Sequence, residues 1–121
     1  MTSMMNQLIS DVTPGDTFYF FATDVEFYTK EAQLFFERYD AKRHAKGLVI
    51  KGIASKRMEE LLHKRPIQMK YADFPVPSGI AFCSDKMALF DWGEKPTGVL
   101  IMSHQLVVKQ QAFFEALWER L

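Results

Sequence analysis

The sequence predicts an α/β protein built around a mixed β-sheet. Two apolar runs in the first half, Thr17–Thr23 and Leu48–Ala54, have the length of strands, and apolar residues at helical spacing follow each of them. A third run, Ile67–Tyr71, alternates apolar and polar residues, as strands with one wetter face do. This alternation of strand and helix favours parallel strands joined by right-handed crossovers, so the chain is predicted to start as β-α-β-α-β.

The composition is that of an ordinary globular domain. Of 121 residues, 48% are hydrophobic and 25% are charged, which argues against disorder. Lys and Arg number 15, as do Asp and Glu, so no overall charge attracts nucleic acid or an acidic membrane. The single cysteine, Cys83, is predicted to be a core residue, and its isolation favours a reducing, cytoplasmic location. No apolar run approaches the length of roughly 20 residues that a membrane span needs.

The first twelve residues are predicted to form a short helix outside the main domain. The apolar residues of Met1–Val12 fall on one helical face, and Pro14 and Gly15 end the helix. We expect it to be either the remnant of an upstream connection or a dimerisation helix. Residues 16–121 are expected to form a single α/β domain of the effector type.

Capping residues mark the helix that follows the first strand. Thr23 or Asp24 can cap its start, and Gly47 is its expected end. Its last turn carries the basic run Lys42-Arg43-His44, with Lys46 beyond. We interpret this run as a solvated helix C-terminus, where the helix dipole favours cations.

A hairpin and a last helix are predicted for the C-terminal half. The strands Gly79–Cys83 and Met87–Trp92 flank the turn Ser84-Asp85-Lys86, and Thr97–Met102 is a further strand. Ser103 can cap the last helix, whose wide apolar stripe is expected to cover the sheet and close the core. The stripe comprises Leu106, Val107, Gln110, Phe113, Phe114, Leu117, Trp118 and Leu121.

Polar residues follow the first two predicted strands. Thr23 and Asp24 come after the first strand, and Ser55 and Arg57 come after the second. Ligands of open α/β sheets tend to lie beyond the carboxyl ends of strands, so these four residues would gather in one place and could bind an anionic ligand. The alternative is that Arg57 and its neighbour Lys56 are ordinary surface charges.

Motifs for metal binding and covalent catalysis are missing from the sequence. His63 and His104 have no His, Cys or carboxylate at a recognised ligand spacing, so neither a metal site nor a cofactor is predicted. There is no glycine-rich phosphate loop and no Gly-x-Ser-x-Gly. His44-Ala45-Lys46 begins like a phospholipase motif, but Lys51 stands where that motif needs an aspartate.

The C-terminal half resembles a known family. The hairpin strands are followed by Lys95-Pro96, the strand Thr97–Met102 and the helical run Phe113-Phe114-Glu115-Ala116-Leu117-Trp118. This order is similar to the C-terminal part of TrmB-like transcriptional regulators, in which a winged-helix DNA-binding domain precedes an effector or dimerisation domain. The resemblance covers residues 16–121 and is clearest from Gly79 onward.

The resemblance implies a fold like half of a phospholipase D, without its activity. The histidine, lysine and aspartate of that enzyme would fall at Ser78, Ile80 and Asp85, so only the aspartate is kept. The serine has no base nearby in sequence, and isoleucine cannot hold a phosphate, so we expect no enzyme activity. Ser78 and Asp85 join the four polar residues above as candidate ligand-binding residues.

The resemblance also implies a function. We expect a non-catalytic regulatory domain that senses a small-molecule effector, a sugar by family analogy, and forms a homodimer. DNA would be reached only through a winged-helix domain that this chain does not contain. Two alternatives remain: a stand-alone protein-interaction module of the same fold, and a weak phosphodiesterase.

Overall fold

Six strands form one mixed sheet in the computed structural model, which describes all residues 1–121. The strands are β1 (Thr17–Phe21), β2 (Val49–Ser55), β3 (Gln68–Ala72), β4 (Ile80–Cys83), β5 (Lys86–Asp91) and β6 (Thr97–Met102). The helices are α1 (Thr2–Leu8), α2 (Lys30–Ala45), α3 (Glu59–Leu62) and α4 (His104–Arg120). The predicted α/β class with a mixed sheet is confirmed.

The sheet has a parallel half and an antiparallel half, in the order β3-β2-β1-β4-β5-β6. β1, β2 and β3 run parallel, whereas β4, β5 and β6 form an antiparallel meander that joins the sheet at β1. We call the rim where β1, β2 and β3 end the carboxyl rim, and the opposite rim the amino rim. The β4–β5 turn and the start of α4 lie at the amino rim, because β4 and β6 end there.

Helices cover both faces of the sheet. α1 and α2 pack on one face, in a cluster that includes Phe18, Phe36 and Trp92, and the short α3 lies over Ala54 on the same side. α4 packs on the other face, where Val107 and Phe114 meet aromatic residues of β1 and β4. None of the four helices combines the length and the apolar content needed to span a membrane.

α1 is part of the core. Met5 and Leu8 are fully buried, and the helix contacts β5 and β6. Gly98 of β6 leaves room for this contact, since a Cβ atom there would lie 2.5 Å from the side chain of Met4. The apolar face of the first helix is therefore used within its own chain.

The start of α2 differs from the sequence prediction. β1 ends at Phe21, and a 3₁₀ turn (Val25–Phe27) separates it from α2. Asp24 caps only this turn, accepting the N–H of Val25 at 2.7 Å, and Thr29 caps α2 by accepting the N–H of Ala32 at 3.2 Å. The helix begins at Lys30 because Thr29 is the residue whose hydroxyl can bind its free N–H groups.

The basic run at the end of α2 is not wholly solvated, so that interpretation was wrong for Arg43. Its side chain is 2% exposed and its guanidinium lies 4.6 Å from the centre of the Phe18 ring. Arg43 also donates a hydrogen bond to Asp40, which Arg65 binds with two further bonds of 2.8 Å. Arg43 is buried because aromatic rings and a carboxylate together replace the water around its charge.

Candidate functional site

An open cavity of about 400 Å³ lies at the carboxyl rim. β3 and β4 lie on opposite sides of β2 and β1, so the segment 73–79 that connects them must cross the rim above those two strands. This segment forms one wall of the cavity, and residues at the ends of β1 and β2 form the other. The lining comprises Ala22, Asp24, Ser55, Lys56, Arg57, Ala72, Asp73, Phe74, Pro75, Val76, Pro77 and Ser78.

The crossing segment is fixed where it enters β4. Gly79 donates a backbone hydrogen bond to the carbonyl of Phe21 at 3.2 Å and accepts one from Phe90 at 2.8 Å. It has φ +71°, and a Cβ atom there would lie 2.1 Å from the Phe90 carbonyl oxygen. Only glycine fits this place, which holds the preceding Ser78 at the cavity.

Arg57 is the centre of a polar network at the mouth of the cavity. Its guanidinium donates to Asp24 at 2.6 Å and to Glu26 at 3.1 Å. These two bonds, the one to Asp24 first, raise the pKa of Arg57 above its usual value. The Ser78 hydroxyl accepts the backbone N–H of Asp24 at 3.3 Å, and Ser55 caps the turn that carries Arg57. The network therefore ties together the segments that follow β1 and β2 and precede β4.

The charged residues that line the cavity are two cations and two carboxylates. Lys56 and Arg57 face Asp24 and Asp73 in the lining, and Glu26 adds a second carboxylate to Arg57. A guanidinium that already binds two carboxylates offers little net attraction to an anion. The hydroxyl groups of a ligand suit this lining, because each can donate a hydrogen bond to a carboxylate and accept one from a cation or a serine.

Four of the six residues predicted from the sequence meet at this cavity: Asp24, Ser55, Arg57 and Ser78. Thr23 is adjacent in the chain, but its side chain is 5% exposed, and it lines a separate small void with Phe20 and Tyr28. Its hydroxyl has no hydrogen-bond partner there.

Asp85 lies at the amino rim, away from the cavity. It belongs to the turn between β4 and β5 and accepts a bond of 2.7 Å from Nδ1 of His104 at the start of α4. Ser78 and Asp85, the two polar positions of the phospholipase D comparison, therefore stand at opposite ends of β4. Ile80 lies at the start of that strand, on the face covered by α4.

Sequence reasoning missed Asp73 and Phe74 as lining residues, whereas Lys56 was considered together with Arg57. The rule applied to the first two strands also applies to the third, and Asp73 directly follows β3. Phe74, which is 46% exposed, places an aromatic ring at the cavity. No sequence signal marks Glu26, because its pairing with Arg57 joins residues 31 positions apart.

The chain holds no group of three or more His, Cys, Asp or Glu side chains arranged to bind a metal ion. Comparison with protein-family models, curated proteins and solved structures found no match to this chain.

Proposed function

We propose that this domain is a non-catalytic sensor that binds a small, uncharged, hydroxyl-rich molecule of the sugar type in the cavity at the carboxyl rim. The resemblance to TrmB-like regulators suggests that the domain would act on transcription through a DNA-binding domain linked to it. The same resemblance suggests that its fold is like half of a phospholipase D. The observation that carries the proposal is the hydrogen-bonded network of Asp24, Arg57 and Ser78 beside the exposed aromatic ring of Phe74.

The chemistry of the lining supports a sugar over an anion. A sugar ring offers several hydroxyls to carboxylates, guanidinium and serine, and its apolar C–H face can lie against an aromatic ring such as that of Phe74. The cavity volume of about 400 Å³ is in the range of small-molecule sites. Arg57 is already paired with two carboxylates, so Lys56 is the cation of the lining that would remain to attract an anion.

The hydrogen bonds of the two serines support a non-catalytic role. The Ser78 hydroxyl accepts from a backbone N–H, as does that of Ser55. Neither hydroxyl is bound to a histidine or a carboxylate, which a nucleophilic serine needs as its base.

Arg57 offers a route for signalling. It joins the segment after β1 to the turn after β2, so a ligand hydroxyl that binds Arg57 or Asp24 would compete with this link. Such a ligand shifts the conformation only if its affinity differs between the state in which Arg57 is paired with these carboxylates and the state in which it is not.

A thermal-shift screen with titration calorimetry tests the proposal. We expect a subset of mono- and disaccharides to stabilise the protein, by about 2.7 kcal/mol at roughly 100 times Kd. Arg57→Ala and Ser78→Ala should remove this effect, whereas Arg120→Ala, an exposed arginine at the end of α4, should keep it. Stabilisation by inorganic phosphate or sugar phosphates alone would show an anion site and contradict the proposal.

Phosphodiesterase activity is the catalytic alternative. We expect no hydrolysis of a chromogenic phosphodiester above the buffer rate. Hydrolysis that disappears in Asp85→Ala would mean that the domain is an enzyme after all.

A further inference from the structure

A second pocket lies between α1 and α2. Its volume is about 410 Å³, and it shares no lining residue with the cavity at the carboxyl rim. The start of α1, one side of α2 and the segment between β5 and β6 form its walls. A volume of this size is sufficient for a small molecule.

Aromatic rings form one wall of this pocket. Trp92, which directly follows β5, is 5% exposed, and Phe35 of α2 is half-buried. The centre of the Phe35 ring lies 5.2 Å from that of Trp92 and 5.7 Å from that of Tyr39, on which it stacks. The rings hold one another in place, so the wall is preformed to receive the flat face of another ring.

The wall also carries an unpaired polar group. The indole N–H of Trp92 is buried and has no hydrogen-bond partner within the chain. Buried indole N–H groups are normally hydrogen-bonded. An acceptor oxygen from outside the chain is therefore expected at this wall.

Two cations of α2 line the same pocket without a carboxylate partner. Arg38 and Lys42 take part in none of the ion pairs of the chain. Lys42 donates to the side-chain oxygen of Asn6 in α1 at 3.1 Å, which leaves its charge uncompensated. The two cations lie four positions apart on one helix, where like charges repel each other. An anion bound beside them would relieve this repulsion.

Glu31, the one carboxylate of the lining, does not neutralise these cations. It precedes Arg38 by seven residues, which is about 10 Å along the axis of α2. Exposed charges at that separation are largely screened at physiological salt. Arg38 and Lys42 therefore make their end of the pocket positive.

We propose that this pocket binds a small aromatic carboxylate, at a site separate from the sugar-type cavity. The ring of the ligand lies against Phe35 and Trp92, and its carboxylate pairs with Arg38, whose planar guanidinium can bind both oxygens. Lys42 adds a second positive charge. An aliphatic acid would lack the contact with the rings, and an uncharged aromatic molecule would leave both cations unpaired.

Tryptophan fluorescence tests this proposal, because Trp92 belongs to the pocket. Trp118 is the other tryptophan of the chain, so Trp118→Phe leaves Trp92 as the single reporter. We expect benzoate and phenylacetate to change this fluorescence saturably. Benzamide, cyclohexanecarboxylate and inorganic phosphate should bind at least about tenfold more weakly. Titration calorimetry of the wild type makes the same comparison without a substitution.

Substitution of Arg38 locates the bound acid. Arg38→Gln should weaken the binding of benzoate by about tenfold, as expected for the loss of a charge-assisted hydrogen bond. Arg38 is exposed, so the variant should keep the native circular dichroism spectrum. Arg120→Gln, at an exposed position of α4, is the matched control and should bind benzoate as the wild type does. Arg57→Ala should also leave the binding of benzoate unchanged.

Several results would overturn the proposal. One is the absence of a saturable response to either aromatic acid. Equal affinity for benzamide would show a merely apolar pocket, and equal affinity for phosphate would show a general anion site. Loss of benzoate binding in Arg57→Ala but not in Arg38→Gln would place the acid at the carboxyl rim instead.

Discussion

Asp40 holds two arginines inside the protein. Its carboxylate binds Arg43, which is almost fully buried, and accepts two bonds from Arg65. Burial alone would raise the pKa of Asp40, but the hydrogen bonds and charge of Arg65 and Arg43 outweigh it and lower the pKa below 3.8. The carboxylate therefore stays ionised and offsets the buried positive charge.

Removing this carboxylate should destabilise the fold strongly. We expect Asp40→Ala to lower the free energy of unfolding by about 3–5 kcal/mol, because two arginines would be left without their partner. Urea unfolding measures the change, and Glu37→Ala, an exposed carboxylate on the same helix, should change it by less than about 0.5 kcal/mol.

Acid should destabilise the wild-type protein by protonating the same carboxylate, that of Asp40. Since the folded pKa lies below that of the unfolded chain, the stabilisation is complete above pH 3.8 and is lost as the pH falls further. Equal losses in Asp40→Ala and Glu37→Ala would refute this role of the cluster.

The sequence predicted several residues of the candidate site, but it did not predict the buried ion cluster of Asp40, Arg43 and Arg65. Asp24, Ser55 and Arg57 follow strands directly, so a rule about strand ends placed them together. Arg43 stands among basic neighbours that are exposed, and it is buried because Phe18 and Asp40 happen to surround it. That environment comes from tertiary packing, which a local pattern does not contain.

α4 shows how far an apolar pattern predicts burial. Its predicted stripe was wider than the contact it makes, since Phe114 is fully buried whereas Phe113 and Leu106 are about half exposed. Ser103 caps the helix as predicted, accepting the N–H of Leu106 at 3.3 Å. The stripe exceeds the contact because α4 crosses the sheet as a single helix with no second helix beside it on that face.

Two adjacent phenylalanines of α4 should differ in their contribution to stability. Phe114 packs against the rings of Tyr19, Phe21 and Phe82 with centroid distances of 5.0 to 6.0 Å. We expect Phe114→Ala to destabilise the protein by about 3–5 kcal/mol, since it leaves a cavity in the core. Phe113→Ala should cost about 1 kcal/mol at most, in keeping with a half-exposed side chain. Thermal unfolding compares the pair, and similar melting temperatures would contradict this account of α4.

The sheet as a whole was only partly predictable. Alternating strand and helix patterns indicated the parallel half, and the turn Ser84-Asp85-Lys86 indicated the hairpin. The pairing of β1 with β4 was not indicated, because it joins residues about 60 positions apart through backbone bonds that any sequence can make. This pairing sends segment 73–79 across the rim, so the wall of the cavity was also beyond sequence reasoning.

Buried thiol and phenol side chains, among them Cys83, Tyr19 and Tyr39, should limit the stability of the whole molecule in alkali. Burial raises the pKa of Cys83 from 9.0 to about 12, as expected for a core cysteine, and burial followed by the hydrogen bond to Glu115 raises that of Tyr19 to about 12. The stabilisation is complete below pH 9 and is lost as the pH rises towards 12, with a total on the order of 4 kcal/mol for Cys83. Urea midpoints measured across this range should fall from pH 9 upward.

Cys83→Ala is the matched variant for this pH dependence. The decline in stability should then begin nearer pH 10, the usual pKa of a tyrosine side chain, because the thiol no longer titrates. An unchanged onset would show that Cys83 does not contribute.

The division of the sheet into a parallel and an antiparallel half has a consequence for the order of folding. The meander β4–β6 is joined by short turns, whereas β1, β2 and β3 pair only after long crossovers have closed. The meander is therefore expected to form the folding nucleus, and the rim with the cavity to assemble late. Stopped-flow kinetics should show slower folding for Ile101→Val in β6 and faster unfolding for Ile53→Val in β2, and the reverse pattern would place the nucleus in the parallel half. A cavity built last is also the part of the fold that opens most readily, so exchange of ligand there would not require the meander to unfold.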